Sequence, residues 1–141
     1  NILVFLGCLV SGLFNMATRI ATISPVGVHG TQANTVIWSG LLNTDVGNAI
    51  EVAHYQDRSV QIAGTFGAGG VVEIEGSLLA APSVDGDFKT LNDPQGNALS
   101  ISVTKIESVL EHVRWIRPRV SAGDGTTNLT AFLFIGSGAR R

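Results

Sequence analysis

Three histidines, His29, His54 and His112, come first, because imidazole ligates metals and moves protons near neutral pH. They stand far apart, without the paired spacing that one helix or ribbon turns into a ligand set. They read as loop and turn histidines. Glu73 and Glu75 lie two residues apart in the run VVEIEGS. A glycosidase sets its two carboxylates on opposite sides of a cleft. Two carboxylates side by side on one strand read instead as a solvated face. Serine, histidine and aspartate all occur, but there is no Gly-x-Ser-x-Gly elbow. The glycine cluster Gly64 to Gly70 has no Gly-Lys-Ser/Thr ending, so it is not a phosphate loop. Asp85-Gly86-Asp87 and Asp124-Gly125 have the residue types of calcium loops, but lack the further acidic ligands of an EF-hand and read as turns. Asn128-Leu129-Thr130 fits the glycosylation acceptor pattern, which arises often by chance. The expectation is a protein that is not an enzyme, with no catalytic residue, no cofactor and no metal ligand.

What remains for recognition is arginine and large apolar side chains. Arg114, Arg117 and Arg119, with Arg140 and Arg141, form the basic cluster. In the strand RWIRPRVS, Trp115, Arg117 and Arg119 share one face, and Ile116 and Val120 share the other. The arginines read as a charged edge that resists strand-to-strand aggregation, or as a salt-bridge patch toward an acidic neighbouring subunit. On the second reading Arg117 and Arg119 are interface candidates. Pro118 cannot donate to a ladder, which predicts an edge or bulged strand. In the closing strand, Leu129, Ala131, Leu133 and Ile135 oppose Thr130, Phe132 and Phe134. One face fills a core, and the face with Phe132 and Phe134 calls for cover by a partner. A homo-oligomer is therefore expected, with a homotrimer favoured over a dimer.

The elements that must position these residues are constrained by composition. The chain has 141 residues, enough for one domain with a sizeable core. Only 14% of residues are charged and 17 are glycine, which is wrong for disorder and suits a β-rich domain with many tight turns. A net charge of −2 gives no reason to expect a nucleic-acid partner. One cysteine, Cys8, excludes an internal disulfide and a thiol-rich metal site. Ile2, Leu3, Val4, Phe5 and Leu6 form an uninterrupted apolar run, continued by Cys8 to Val10, Leu13 and Phe14. It lacks the basic leading segment of a secretory signal. It is shorter than the roughly 20 residues of a membrane span, so no membrane partner is expected. Met16-Ala17-Thr18-Arg19 resembles the start of a protein. Residues 1–15 are expected to be a leader extension or an apolar arm whose Ile2 to Leu6 dock on a neighbouring subunit, and residues 16–141 the domain proper.

Within the domain, the stretch Arg58 to Ser77 reads as two strands joined by a glycine-rich hairpin turn. Val60 and Ile62 alternate with Ser59 and Gln61, and Val72 and Ile74 with Glu73 and Glu75. Thr35 to Ser39 is a strand with Val36 and Trp38 on one face, and Ala49 to Ala53 is a short one. Leu78 to Asp87 is a loop, followed by a strand near Lys89-Thr90. Asn92 to Asn97 is a turn with Gly96 able to take positive φ. Leu99, Ile101 and Val103 alternate as a strand. Ile106, Val109, Leu110 and Val113 stand at helical spacing, predicting one or two helical turns over Lys105 to His112. Short strands with turn signals every ten or so residues predict a mainly β fold, an antiparallel β-sandwich or jelly-roll-like domain with an extended apolar N-terminal arm.

Several segments together resemble the tailed-bacteriophage head decoration, or cement, proteins. They are Ser24-Pro25 to Gly30, Ala53 to Gln61 (AHYQDRSVQ), Gly64-Thr65-Phe66-Gly67, Val72 to Ser77, Leu91 to Asn97 (LNDPQGN), Arg117-Pro118-Arg119-Val120, and Ala122 to Thr127 (AGDGTT). The likeness spans about Met16 to Arg141, and residues 1–15 fall outside it. Leu78 to Phe88 departs from the loop that such proteins carry after the Gly-Ser. The resemblance implies a virion structural protein on the outer capsid surface, whose partner is the major capsid protein and which stabilises contacts between capsid subunits. A carbohydrate-binding or adhesion β-sandwich module, and a tail or neck component of the virion, are the alternatives.

Overall fold

The computed structural model describes residues 17–26 and 33–137. The expected arm, Ile2 to Leu6, lies outside the described residues. Among the described residues twelve strands follow in order: β1 (Thr18–Arg19), β2 (Thr22–Val26), β3 (Ala33–Leu42), β4 (Val46–Gly47), β5 (Ile50–Glu51), β6 (Asp57–Thr65), β7 (Val71–Ser77), β8 (Lys89–Thr90), β9 (Ser100–Ile101), β10 (Lys105–Ser108), β11 (Trp115–Ala122) and β12 (Asn128–Gly136). They form two sheets packed as a β-sandwich. The first runs β1-β4-β11-β7-β8, with β5 beside β11 and β9 beside β7. The second runs β10-β6-β12-β3-β2. Among the described residues, every pair is antiparallel except β1 with β4.

The core sits where the two inner faces meet. Alternation along each strand delivers one apolar row inward. Val36 and Trp38 come from β3, Val60 and Ile62 from β6, and Leu129, Ala131, Leu133 and Ile135 from β12. Val72 and Ile74 of β7, Ile116 and Val120 of β11, and Leu91, Leu99 and Ile101 close on them from the first sheet. Each large side chain removed from water contributes about 1.5–3 kcal/mol. Trp38 is the largest of them. Its indole N–H donates to the Asn48 carbonyl at 3.0 Å, and its ring lies so close to Gly47 that a Cβ there would fall 2.5 Å from it and 2.7 Å from the Pro118 ring.

Three local expectations need correcting. The glycine-rich segment does not close a hairpin. β6 lies in the second sheet and β7 in the first, so residues 66–70 arch between the layers. Gly67 at φ 72° and Gly69 at φ 70° make that reversal, and a side chain at Gly67 would collide with Asp124. The helix expected over Lys105 to His112 is instead a strand and a loop. β10 adds to the edge of β6, its Lys105 to Ser108 facing Ile62 to Ser59. Apolar residues over so short a run fit either period, and the unpaired edge of β6 supplies the backbone partners that decide it. Finally, β11 is internal rather than an edge. Its alternate N–H groups point toward β4 and β5, where Val120 donates to Asp45. Pro118 falls in the gap between those two short strands, the one place on that side where a missing donor leaves no ladder bond broken. The bulge that Pro118 suggested does occur, between Val120 and Ala122. No helix among the described residues is long and apolar enough to cross a membrane.

Candidate functional site

The outer face of the first sheet carries the charged residues. β7 and β11 pair so that Arg117 stands opposite Glu75 and Arg119 opposite Glu73. Arg117 Nε donates to Glu75 Oε1 at 3.1 Å, and Arg119 Nε donates to Glu75 Oε2 at 2.6 Å. Arg119 Nη2 reaches Glu73 Oε1 at 3.2 Å, where the Thr90 hydroxyl also donates, at 2.7 Å. Burial pulls the Arg119 guanidinium down, but the hydrogen bond and charge of Glu75, with Glu73 and Asp85 behind, outweigh it and hold the group above its ordinary value.

This face is not solvated as the alternating carboxylates suggested. The loop between β7 and β8 folds back over it. Asp85 accepts from Arg117 Nη2 at 2.9 Å, and the Phe88 ring lies 3.9 Å from the Arg117 guanidinium carbon, a cation–π contact. Glu75 is left 4% exposed and Phe88 6%. The loop is braced from within, because the Ser83 and Val84 N–H groups both donate to the Asp87 carboxylate. Those bonds, Ser83 first, hold Asp87 below its ordinary value. Asp85-Gly86-Asp87 is thus a turn. So is the second acidic pair: Asp124 accepts from the Ala68 and Thr126 N–H groups and the Thr126 hydroxyl, and these hold its carboxyl down to about 2.

Every carboxylate on the face is engaged with a cation or a donor, and the guanidinium groups of Arg117 and Arg119 are bound within the chain. Arg117, an interface candidate from the sequence, is 8% exposed and has its guanidinium paired with Glu75 and Asp85 of its own chain. What the face presents is the top of its loop, where Leu78, Leu79 and Val84 are exposed. Trp115 flanks it, donating its indole N–H to the Leu79 carbonyl at 3.0 Å, with the Arg114 guanidinium 5.9 Å from its ring centroid.

The outer face of the second sheet is different in kind. Phe132 and Phe134 of β12 point outward, opposite Gln61 and Ser59 of β6. Ile106 of β10 stands beyond Gln61 in the same row. With Thr35 they line a shallow groove of about 270 Å³ that no charged side chain borders. Ile106 is 65% exposed and Phe134 38%. The inner row of β12 is fully buried, so the two-faced apolar character of that strand resolves as read: one face in the core, the other open. Of the histidines, His54 and His112 border one depression at the end of the sandwich, which their 58-residue separation gave no means of seeing. His29 lies outside the described residues. Among the described residues, no three histidine, cysteine or acidic side chains are placed to hold a metal ion together.

No protein-family model matches the chain, and no curated protein sequence does. Among solved structures, the fold is similar to the crystal structure of the SPBc2 prophage-derived protein YomS, with a TM-score of 0.53 at 12% identity. The match covers 77% of this chain and 98% of that one. At that identity the likeness is one of fold.

Proposed function

We propose that this chain is a structural protein of a tailed-bacteriophage particle, a head decoration protein that binds the outer capsid surface and holds neighbouring major capsid subunits together. The observation that carries the reading is the division of labour between the two outer faces. One has its charges consumed internally under its own loop. The other keeps Phe132, Phe134 and Ile106 in an uncharged strip of the kind that another polypeptide surface covers. The prophage origin of the protein that shares the fold supports the same setting. The mechanism is surface burial rather than chemistry: each copy spans a seam between capsid subunits, so parting them also forfeits the contacts of the copy that bridges them. Self-association through the strip, as a homotrimer ahead of a dimer, would present several such contacts at once. A glycan-binding role finds less support, because Trp38 is buried and Trp115 is already engaged at its indole N–H and its face. The direct test adds purified protein to particles that lack it. Raised resistance of those particles to heat or osmotic shock is the expected result. Unchanged resistance, with no protein retained on the particles, would reject the reading.

A further inference from the structure

At the end of the sandwich where β6 begins, an open depression of about 930 Å³ is bordered by His54, Tyr55, Arg58, His112 and the Glu51–Arg114 pair. Arg58 is the anomaly there. It stands opposite Ile135 in the inward row of β6, ahead of Val60 and Ile62, where alternation calls for an apolar side chain. It is 6% exposed, and burial lowers its pKa. Its guanidinium donates only to carbonyl oxygens: those of Tyr55 at 3.1 Å, Glu111 at 2.7 Å and Val52 at 3.2 Å. None of the ion pairs among the described residues includes it.

The acids beside it are committed elsewhere. Glu51 accepts from Arg114 Nε at 2.8 Å. Glu111 turns its carboxylate to the backbone and side-chain amides of Asn92, at 2.8 and 2.6 Å, and gives Arg58 only its carbonyl. A guanidinium has five N–H donors in a fixed fork suited to planar oxyanions. Three carbonyl dipoles occupy part of that fork without supplying an anion to pair with it. The same depression is lined by two imidazoles, which bring further donors, and by Tyr55, whose oxygen accepts from Asn34 Nδ2 at 3.1 Å and keeps its own O–H to give.

We propose that this depression is a binding site for an oxyanion, a carboxylate or a phosphate group, with Arg58 as its cationic floor and His54 and His112 as its rim. The anion comes either as a free small ion or as an acidic side chain of a partner polypeptide, and the site is separate from the apolar strip invoked above. The test follows the ring resonances of His54 and His112 by NMR at constant ionic strength. Inorganic phosphate is titrated in one arm, and an acetylated, amidated glutamyl peptide in the other. Saturable shifts of both rings are expected, with the amide of Gly69, in the arch beyond the far end of β6, unmoved. A response to phosphate alone assigns a free ion, and a peptide affinity at least tenfold tighter assigns a partner's side chain. In the paired exposed changes His54→Ala and His112→Ala, with binding followed by the backbone amide of Arg58 in place of the lost rings, affinity should fall at least tenfold while thermal unfolding is unchanged. Arg58→Gln, if its amide spectrum shows it folded, should abolish binding. No saturable response in either arm, or equal responses in the histidine variant and at Gly69, would reduce the site to adventitious ion contact and overturn the proposal.

Discussion

Glu75 accepts from two guanidinium groups while almost wholly removed from water, so deleting it leaves Arg117 with Asp85 alone and Arg119 with Glu73 alone. Breaking a buried pair from one side costs about 3–5 kcal/mol when the partner is left uncompensated, and Glu75→Ala should lose up to that much in urea unfolding, because Asp85 and Glu73 remain as partners. Glu73 is more exposed, its side chain at 23%, and Glu73→Gln should cost less than about 1 kcal/mol. Equal losses from the two changes would contradict the network as described. Asp124 makes a prediction of its own in pH. Its carboxyl is held down to about 2 from an ordinary 3.8, by hydrogen bonds that favour the charged form. A depressed folded pKa means the stabilisation is complete above the unfolded value and is lost as pH falls through the folded one. The melting-temperature advantage of the native chain over Asp124→Asn should therefore be full at pH 5 and shrink toward pH 2. An advantage that is constant across that range would show that the carboxylate contributes nothing as a charge.

At the scale of elements, the loop from Leu78 to Phe88 behaves as a clasp on the β7–β11 face. Removing its anchor, in Phe88→Ala, should speed amide hydrogen exchange at Ser83 and Val84 at least tenfold while the β12 amides keep their protection. Unchanged exchange at those two amides would show that the loop holds itself. Gly47 tests the packing between β4 and the core. Gly47→Ala forces a methyl against the Trp38 and Pro118 rings, and overpacking of this kind costs about 1–3 kcal/mol. Alternation in the sequence was enough to place Val60, Ile62, Val72, Ile74 and the inner row of β12 correctly. It was not enough to say which sheet a strand joins, because a hairpin and an arch share the same local pattern and differ only in where the turn aims the next strand. The same limit explains Glu75. Period two tells which face a side chain takes, and nothing in it tells whether a loop eleven residues long will cover that face. Complementary charges at facing positions of two strands, with an aromatic at Phe88 nearby, were the signal that could have found the network. Helical spacing over Lys105 to His112 misled because an open strand edge outranks a weak local preference.

For the whole molecule, the two outer faces divide what was legible from what was not. Phe132 and Phe134 were readable as an open face because their strand is apolar on both sides and a sandwich buries only one. The depression between His54 and His112 was not, since it is assembled from turns far apart in the chain. If the Phe134 strip joins copies of the chain, Phe134→Ser should shift a trimer to monomer in sedimentation at micromolar concentration and leave the β-sandwich circular dichroism signal intact. A native chain that sediments as a monomer would remove self-association from the account. The role on the particle is tested most directly by counting. Quantitative mass spectrometry of purified particles should find this chain in numbers on the order of hundreds per particle, in fixed ratio to the major capsid protein. A handful of copies would place it in the tail or neck instead, and none at all would contradict a structural role in the virion.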